Sequence, residues 1–267
     1  MRVRKVIAVL GTLLALGAVV PSSAGAADET AEKHGAKKPT VVLVHGAFAD
    51  ASSWNGVVDR LQRKGFPVVA VANPLRSVSG DANYLKQVLA SIEGPIVLAG
   101  HSYGGMVQSA AAVGNKNVKS LVYIAAFAPE KGESALGLTN KFPGSSLGDA
   151  VRPIPLGDGT NDLVIAQDRY WQQFAADVSR KDATIAAATQ RPINDTALTE
   201  AAGEPAWKTI PSYFLVAGKD KNIPLAATKW MAERAHAREL VEVKNASHSV
   251  AVSHPDTVAD LIVRAAR

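Results

Sequence analysis

The stretch Gly100-His101-Ser102-Tyr103-Gly104 lies between an apolar run, residues 95–99, and an alanine-rich segment, residues 106–113, that is typical of a helix. A serine flanked by glycines at a strand-to-helix junction forms a sharp, strained turn that exposes the serine hydroxyl. The residues two before and two after the serine must be nearly free of side chain, because larger residues would prevent the turn from closing. The stretch therefore predicts a serine nucleophile at position 102.

Similar apolar runs alternate with helical patterns along much of the chain. Runs that are apolar throughout are typical of parallel strands buried on both faces, so the pattern predicts an α/β fold with a mostly parallel sheet and helices on both faces. The helical segments show apolar residues at the 3.6-residue period. The predicted strands are residues 39–44, 67–72, 95–99, 118–125, 212–217 and 239–243, and the predicted helices are residues 52–64, 81–92, 106–113, 224–236 and 255–266.

Residues 134–207 interrupt this alternation. Prolines and glycines break up the first part of the segment, and residues 170–188 have a helical pattern. An insertion that follows a sheet strand predicts a cap over the carboxyl ends of the strands, where ligands bind in open parallel sheets. The candidate pocket residues are Phe142 and Trp171 from the cap, with Phe48 from the body. The alternative is that the cap aromatics only form a small core of the cap.

The amino-terminal residues 1–26 have the pattern of a secretory signal peptide. Basic residues at positions 2, 4 and 5 precede an apolar run, residues 6–20, and the small residues Ala24-Gly25-Ala26 form a cleavage pattern. A membrane anchor is the alternative, but the run is short compared with the ~20 residues of a membrane span. We therefore expect a secreted protein, extracellular or in the cell envelope, without stable membrane insertion after cleavage. Residues 27–38 are predicted to be a flexible lead, and residues 39–267 one domain.

Charge and composition exclude several function classes. The formal net charge of +5 falls to about +2 without the three basic residues of the predicted signal peptide, and no basic cluster is interleaved with aromatics, so nucleic acid is not an expected partner. The chain has no cysteine. It therefore has no disulfides, no thiol nucleophile and no thiolate metal ligands.

A serine nucleophile requires a base, an acid that orients the base, and donors for the oxyanion. His248 follows the last predicted strand, and Asp220 follows the strand before it, so both belong to the carboxyl edge of the sheet. His248 is the predicted base and Asp220 the predicted acid. Glu130 and Glu133, which follow the strand at residues 118–125, are the alternative acids.

The order Ser102, Asp220, His248, together with the stretch Val44-His45-Gly46-Ala47-Phe48, resembles the α/β-hydrolase superfamily over about residues 39–267. The resemblance implies that the backbone N–H groups of Tyr103 and Ala47 form the oxyanion hole. The N–H of Phe48 is the alternative donor if the register of the loop differs by one residue. The resemblance also implies a reaction without a metal or an organic cofactor.

Within that superfamily, the sequence is similar to small esterases related to plant salicylate-ester esterases and hydroxynitrile lyases, and to bacterial pyrethroid-hydrolase-like enzymes. The lyases carry a glutamate before the serine and a lysine after the histidine, where this chain has His101 and Ser249. The resemblance therefore implies hydrolysis of small or medium apolar carboxylic esters. A lactone, a carbon–carbon bond or perhydrolysis is the alternative for the same triad, and a ligand-binding protein on the same fold is another. The sequence leaves the particular ester and the oligomeric state open.

Overall fold

The structure is a computed structural model that describes residues 38–267. The predicted signal peptide lies outside the described residues, as does the predicted lead apart from Lys38. Among the helices of this described part, none is both long and apolar enough to span a membrane.

The strands form two separate sheets. In chain order, the strands are β1 (Thr40–Val44), β2 (Val68–Val71), β3 (Ile96–His101), β4 (Val118–Ile124), β5 (Val151–Pro155), β6 (Asn161–Ile165), β7 (Ile193–Asn194), β8 (Ser212–Ala217) and β9 (Glu239–Val243). The larger sheet has the order β2-β1-β3-β4-β8-β9, and every neighbouring pair is parallel. This sheet confirms the predicted fold class.

Helices cover the large sheet and build the segment between β4 and β8. They are α1 (Asn55–Arg63), α2 (Val78–Ala90), α3 (Gly104–Ala111), α4 (Ala135–Asn140), α5 (Leu147–Ala150), α6 (Gln167–Phe174), α7 (Arg180–Thr189), α8 (Asp195–Thr199), α9 (Leu225–Arg234), α10 (Val250–Ser253) and α11 (Pro255–Ala265). Short 3₁₀ turns occur at Ala51–Trp54 and Ala206–Lys208.

Strand β1 shows why the strands of the large sheet are apolar throughout. Val41 and Leu43 belong to the core that includes α1 and α11, whereas Val42 and Val44 belong to the core that includes α2 and α3. All four side chains are fully buried. Since successive side chains of a strand point to opposite faces, a strand covered by helices on both sides has no solvent-facing position for a polar residue.

The cap between β4 and β8 differs from its prediction in two respects. It contains an antiparallel sheet of order β5-β6-β7, which the sequence analysis did not predict. The prediction of one helix over residues 170–188 is also wrong, because α6 ends at Phe174 and α7 begins at Arg180. Ser179 caps α7, since its side chain accepts a hydrogen bond of 3.1 Å from the N–H of Asp182.

Candidate active site

Ser102 lies in a strained turn between β3 and α3. Its φ of +54° is in the left-handed region, which non-glycine residues adopt rarely. A Cβ on Gly100 would lie 2.7 Å from the carbonyl oxygen of Gly104, and a Cβ on Gly104 would lie 2.4 Å from the carbonyl oxygen of Val44. Both positions therefore require glycine, which is the reason that the sequence pattern has glycine on both sides of the serine.

His248 and Asp220 form a buried pair at the carboxyl edge of the sheet. The Nδ1 atom of His248 lies 2.6 Å from Oδ2 of Asp220, and each side chain is 1% exposed. The other carboxylate oxygen of Asp220 accepts hydrogen bonds from the N–H groups of Asn222, at 2.7 Å, and Ile223, at 3.0 Å. These bonds fix the carboxylate, which in turn orients the imidazole and leaves Nε2 as the nitrogen available for proton transfer.

The alternative acids are engaged elsewhere. Both carboxylate oxygens of Glu133 accept hydrogen bonds of 2.8 Å from the guanidinium of Arg234. The carboxylate of Glu130 forms an ion pair with Lys208 at 2.5 Å. Of the three candidate acids, Asp220 is the one whose carboxylate contacts His248 within residues 38–267.

Two backbone N–H groups next to Ser102 are available as donors. Within the described part of the chain, the N–H groups of Ala47 and Tyr103 donate no hydrogen bond, and both residues line the cavity that contains Ser102. The N–H of Phe48 donates to the carbonyl oxygen of Arg191 at 3.2 Å, so this alternative donor is already engaged. The geometry therefore favours the Ala47 register over the Phe48 register.

The orientation of the Tyr103 N–H is set by its own peptide group. The carbonyl oxygen of Ser102 accepts hydrogen bonds from the N–H groups of Gly105, at 2.9 Å, and Phe127, at 3.2 Å. In a trans peptide the carbonyl and the following N–H point in opposite directions. Fixing the Ser102 carbonyl on the helix side therefore directs the Tyr103 N–H away from the helix.

Ser102 and His248 line one cavity of about 370 Å³, beside Ala47, Phe48 and Tyr103. Much of the remaining lining is apolar, with Phe127, Val151 and Leu163 among the larger residues, and the polar groups include Ser145, Thr139 and Asn222. The lining includes Asp149 and, among the described residues, no lysine or arginine. The described lining therefore offers no lysine or arginine as a partner for a negatively charged group.

Two of the three predicted pocket residues lie away from this cavity, and the prediction for them needs correction. Phe142 packs against Trp230, with ring centroids 5.8 Å apart. Trp171 lies beneath the guanidinium of Arg180, and its Nε1–H donates to the carbonyl of Val178 at 3.0 Å. Both aromatics stabilise the packing of helices, whereas Phe48, the third prediction, does line the cavity.

His101, the residue before Ser102, supports the loop that carries His248. Its Nε2 lies 2.9 Å from the carbonyl oxygen of His248. Burial lowers the pKa of His101 to about 3, so the ring is neutral near pH 7, and its Nε2–H donates to that carbonyl. His101 therefore holds the backbone of the loop that carries His248.

Phe174, which the sequence analysis did not predict as a site residue, connects the cap to the same loop. Its ring lies against His248 with centroids 4.9 Å apart and lines the cavity. Its carbonyl oxygen accepts hydrogen bonds from the Ser249 N–H at 3.0 Å, the Ser249 hydroxyl at 2.9 Å and the Ser247 hydroxyl at 3.2 Å. The available sequence signal was its spacing of four residues from Tyr170, which places both aromatics on one face of α6.

Comparisons with known proteins agree with this architecture. The model of the alpha/beta hydrolase family matches residues 41–261. Methylesterase 9 of Arabidopsis thaliana is 25% identical over 84% of this chain and 97% of its own. Polyneuridine aldehyde esterase of Rauvolfia serpentina is 26% identical over 81% of this chain and 91% of its own.

Solved structures show the same fold. A crystal structure of polyneuridine aldehyde esterase superimposes with a TM-score of 0.74 at 22% identity, covering 85% of this chain and 98% of that one. A pyrethroid hydrolase structure superimposes with a TM-score of 0.67 at 21% identity, covering 85% of this chain and 97% of that one.

Proposed function

Because this chain belongs to the alpha/beta hydrolase family, we propose that it is a serine hydrolase that cleaves carboxylic esters of small or medium apolar substrates through an acyl-enzyme on Ser102. The observation that supports this most is the buried contact of 2.6 Å between His248 and Asp220, beside the cavity that Ser102 also lines. The relatives named as esterases support an ester as the scissile group.

In the acylation half, Ser102 Oγ attacks the ester carbonyl while Nε2 of His248 takes its proton. Asp220 stabilises the imidazolium that forms, and the N–H groups of Ala47 and Tyr103 donate to the tetrahedral oxyanion. When the oxyanion collapses, the bond to the alcohol oxygen breaks and His248 protonates the leaving alkoxide. The products of this half are an alcohol and an acyl-Ser102.

In the deacylation half, water takes the place of the alcohol. His248 removes a proton from the water as it attacks the acyl carbonyl, and the same N–H groups stabilise the second oxyanion. Collapse breaks the bond to Ser102 Oγ, which receives the proton from His248. The acid leaves and the free hydroxyl is restored.

The cavity lining supports a preference for uncharged substrates. A carboxylate on the substrate would have no lysine or arginine of the described lining as a partner, and it would share the cavity with Asp149. Burying an unpaired charge costs more than burying a neutral group of similar size. Neutral esters are therefore the proposed substrates in preference to hemiesters of dicarboxylic acids.

The central test is hydrolysis of short p-nitrophenyl esters by the wild type and by Ser102→Ala. Loss of the nucleophile lowers kcat by on the order of 10⁴- to 10⁶-fold. Ser145→Ala is the matched control, since it removes a hydroxyl from the same cavity and should leave kcat within about threefold. Wild-type activity no higher than that of Ser102→Ala, over several acyl lengths, would contradict the esterase proposal.

The acid is tested by Asp220→Asn beside Glu133→Gln. An asparagine cannot stabilise the imidazolium and favours the wrong tautomer, so kcat should fall by on the order of 10³- to 10⁴-fold while the circular dichroism spectrum is unchanged. Glu133→Gln breaks the ion pair with Arg234 and should change stability more than kcat. The reverse result would assign the acid to Glu133.

We also propose export by a signal peptide of residues 1–26. The support is the sequence pattern alone. Mass spectrometry of the protein from the culture medium or envelope should give a mature chain that begins at Ala27. A chain that still begins at Met1 would contradict cleavage.

A further inference from the structure

His45, directly after β1, makes a set of buried hydrogen bonds that the proposed reaction does not use. Its Nδ1 lies 2.9 Å from the carbonyl oxygen of Gly46, and its Nε2 lies 3.0 Å from the backbone nitrogen of Asn73. The side-chain amide of Asn73 donates to the carbonyl of His45 at 3.0 Å. Both side chains are almost completely buried, at 0% and 1% exposure.

These contacts determine the tautomer of His45. The backbone N–H of Asn73, which is shared with the Val71 carbonyl at 3.1 Å, is a donor only, so Nε2 accepts in this contact. The single ring proton is therefore on Nδ1, which donates to the Gly46 carbonyl. Burial lowers the pKa of His45, which keeps the ring neutral. A second proton on Nε2 would face the Asn73 N–H and break the contact.

The Gly46 carbonyl and the Ala47 N–H belong to the same peptide group. The described chain contains no cis peptide bond, so the two dipoles point in opposite directions. Holding the carbonyl against His45 therefore directs the Ala47 N–H to the other side of the loop. Ala47 lines the cavity there, and within residues 38–267 its N–H has no hydrogen-bond partner.

Gly46 explains why this peptide needs to be held. A Cβ at position 46 would lie 2.6 Å from the Cβ of Ser102, so glycine is required for the two turns to meet. Glycine also permits backbone conformations that other residues rarely adopt, which makes a rotated peptide at this position accessible. The close approach to Ser102 thus requires glycine at position 46, whereas a fixed direction of the Ala47 N–H requires a peptide that does not rotate. A hydrogen bond from a side chain to the Gly46 carbonyl can prevent that rotation.

We propose that His45 is a positioning residue of the oxyanion hole, whose neutral Nδ1–H holds the Gly46 carbonyl and thereby aims the Ala47 N–H at the oxyanion. The proposal rests on the proposed function of Ser102. It assigns His45 no contact with substrate and no proton transfer. Its effect is on the transition state, because the oxyanion forms only there.

The test compares two variants whose side-chain amides each approximate the position of one ring nitrogen of His45. His45→Asn places an amide N–H near the position of Nδ1, whereas His45→Gln places its amide near Nε2 and lacks the donor to Gly46. Loss of one oxyanion donor costs ~100–1,000-fold in rate, and a donor that is misdirected but present costs less. We expect kcat of His45→Gln to fall by about 10- to 100-fold with KM within about threefold, and His45→Asn to recover most of the loss.

Binding of a trifluoromethyl ketone supplies a readout that a purely structural role would not change. This probe adds to a serine as a tetrahedral oxyanion, whereas the unfluorinated ketone binds as a ground-state analogue. We expect His45→Gln to lower the affinity for the fluorinated ketone in proportion to the loss in kcat/KM. The affinity for the unfluorinated ketone should stay within about threefold of the wild type. Equal losses for the two ketones, or equal kcat for the two variants, would overturn the proposal.

Nitrogen-15 NMR of the wild type tests the tautomer without any variant, and so decides the proposal if the variants fail to fold. The expected spectrum shows His45 protonated on Nδ1 and unprotonated on Nε2. Protonation on Nε2 would overturn the proposal. Failure of the proposed function has a different signature, since the wild type itself would then fail to hydrolyse esters above Ser102→Ala.

Discussion

The two turns that flank the cavity present their N–H groups by different means. In the turn at Ser102, the peptide that carries the Tyr103 N–H is held by two backbone donors, from Gly105 and Phe127. In the turn after β1, the peptide that carries the Ala47 N–H is held by the side chain of His45. The first arrangement depends on the path of the chain, whereas the second depends on one imidazole.

The difference shows where each half of the site is sensitive to substitution. At Ser102, the direction of the Tyr103 N–H depends on the glycines that allow the backbone to close. The turn after β1 has few backbone bonds of its own, and it is held by His45 from the body and by Tyr170 from the cap, whose hydroxyl donates to the Phe48 carbonyl at 2.9 Å. The two turns also touch, because Gly104 packs on the carbonyl of Val44.

The largest expected effect comes from Gly104→Ala, which would break the contact between Gly104 and the Val44 carbonyl. The added Cβ would lie 2.4 Å from the Val44 carbonyl oxygen, so the turns must separate. Overpacking of this kind costs about 1–3 kcal/mol or more, and we expect a Tm lower by several degrees together with loss of activity. Gly203→Ala is the control, since a Cβ there meets nothing within 4 Å. Equal Tm values for the two variants would show that the turns are not in close contact.

A second effect, of intermediate size, is the contribution of His101 to the pH dependence of stability. Unfolded histidine has a pKa near 6.5, whereas burial lowers that of His101 to about 3, so between these values the unfolded state binds one more proton than the native state. His101 therefore makes stability fall as the pH decreases below about 6.5, with a slope of up to ~1.4 kcal/mol per pH unit.

The measurement is urea unfolding of the wild type and of His101→Gln from pH 7 to pH 4. We expect the variant to lose less stability on acidification, because glutamine does not titrate and its amide can still donate to the His248 carbonyl. The difference between the two unfolding free energies should change with pH only below about 6.5. Parallel curves would mean that His101 takes up a proton in the native state near its ordinary pKa.

The smallest expected effect concerns the hydrogen bond by which Tyr170 of the cap holds the turn after β1. Tyr170→Phe removes one hydrogen bond to the Phe48 carbonyl, worth about 1 kcal/mol, and we expect kcat to fall by about two- to fivefold. Tyr123→Phe is a matched control, because its buried hydroxyl bonds Ser109 at 2.8 Å, away from the loop. A loss of kcat as large in Tyr123→Phe would assign the effect to general stability.

The body of the protein was predictable because its strands are buried on both faces. Such strands are uninterrupted apolar runs, and the glycines around Ser102 follow from steric limits that act within a few residues. The candidate base and acid could be placed after β9 and β8 for the same reason. Asp220 was the predicted acid and Glu133 an alternative, and the engagement of Glu133 by Arg234 is a contact that the sequence alone could not supply.

The cap was less predictable because contacts distant in sequence determine it. Pro153 and Pro155 are typical of breaks, yet they belong to β5, which among the described strands pairs with β6 alone. Such an edge strand tolerates residues without an N–H. The start of α7 had a local signal, because Ser179 lies three residues before Asp182 and its side chain accepts a hydrogen bond from the Asp182 N–H. Apart from its spacing of four residues from Tyr170, no local signal distinguished Phe174, which contacts His248, from Phe142 and Trp171.

The carbonyl of Phe174 sets a condition for any exchange of caps between relatives. The last carbonyls of a helix have no partner within the helix, and here one of them accepts three hydrogen bonds from the serines on either side of His248. A grafted cap can therefore bring any pocket-facing side chains, but it must end a helix at this point. Chimeras spliced outside α6 should retain turnover with altered selectivity, whereas chimeras that move the end of α6 should lose turnover on every substrate.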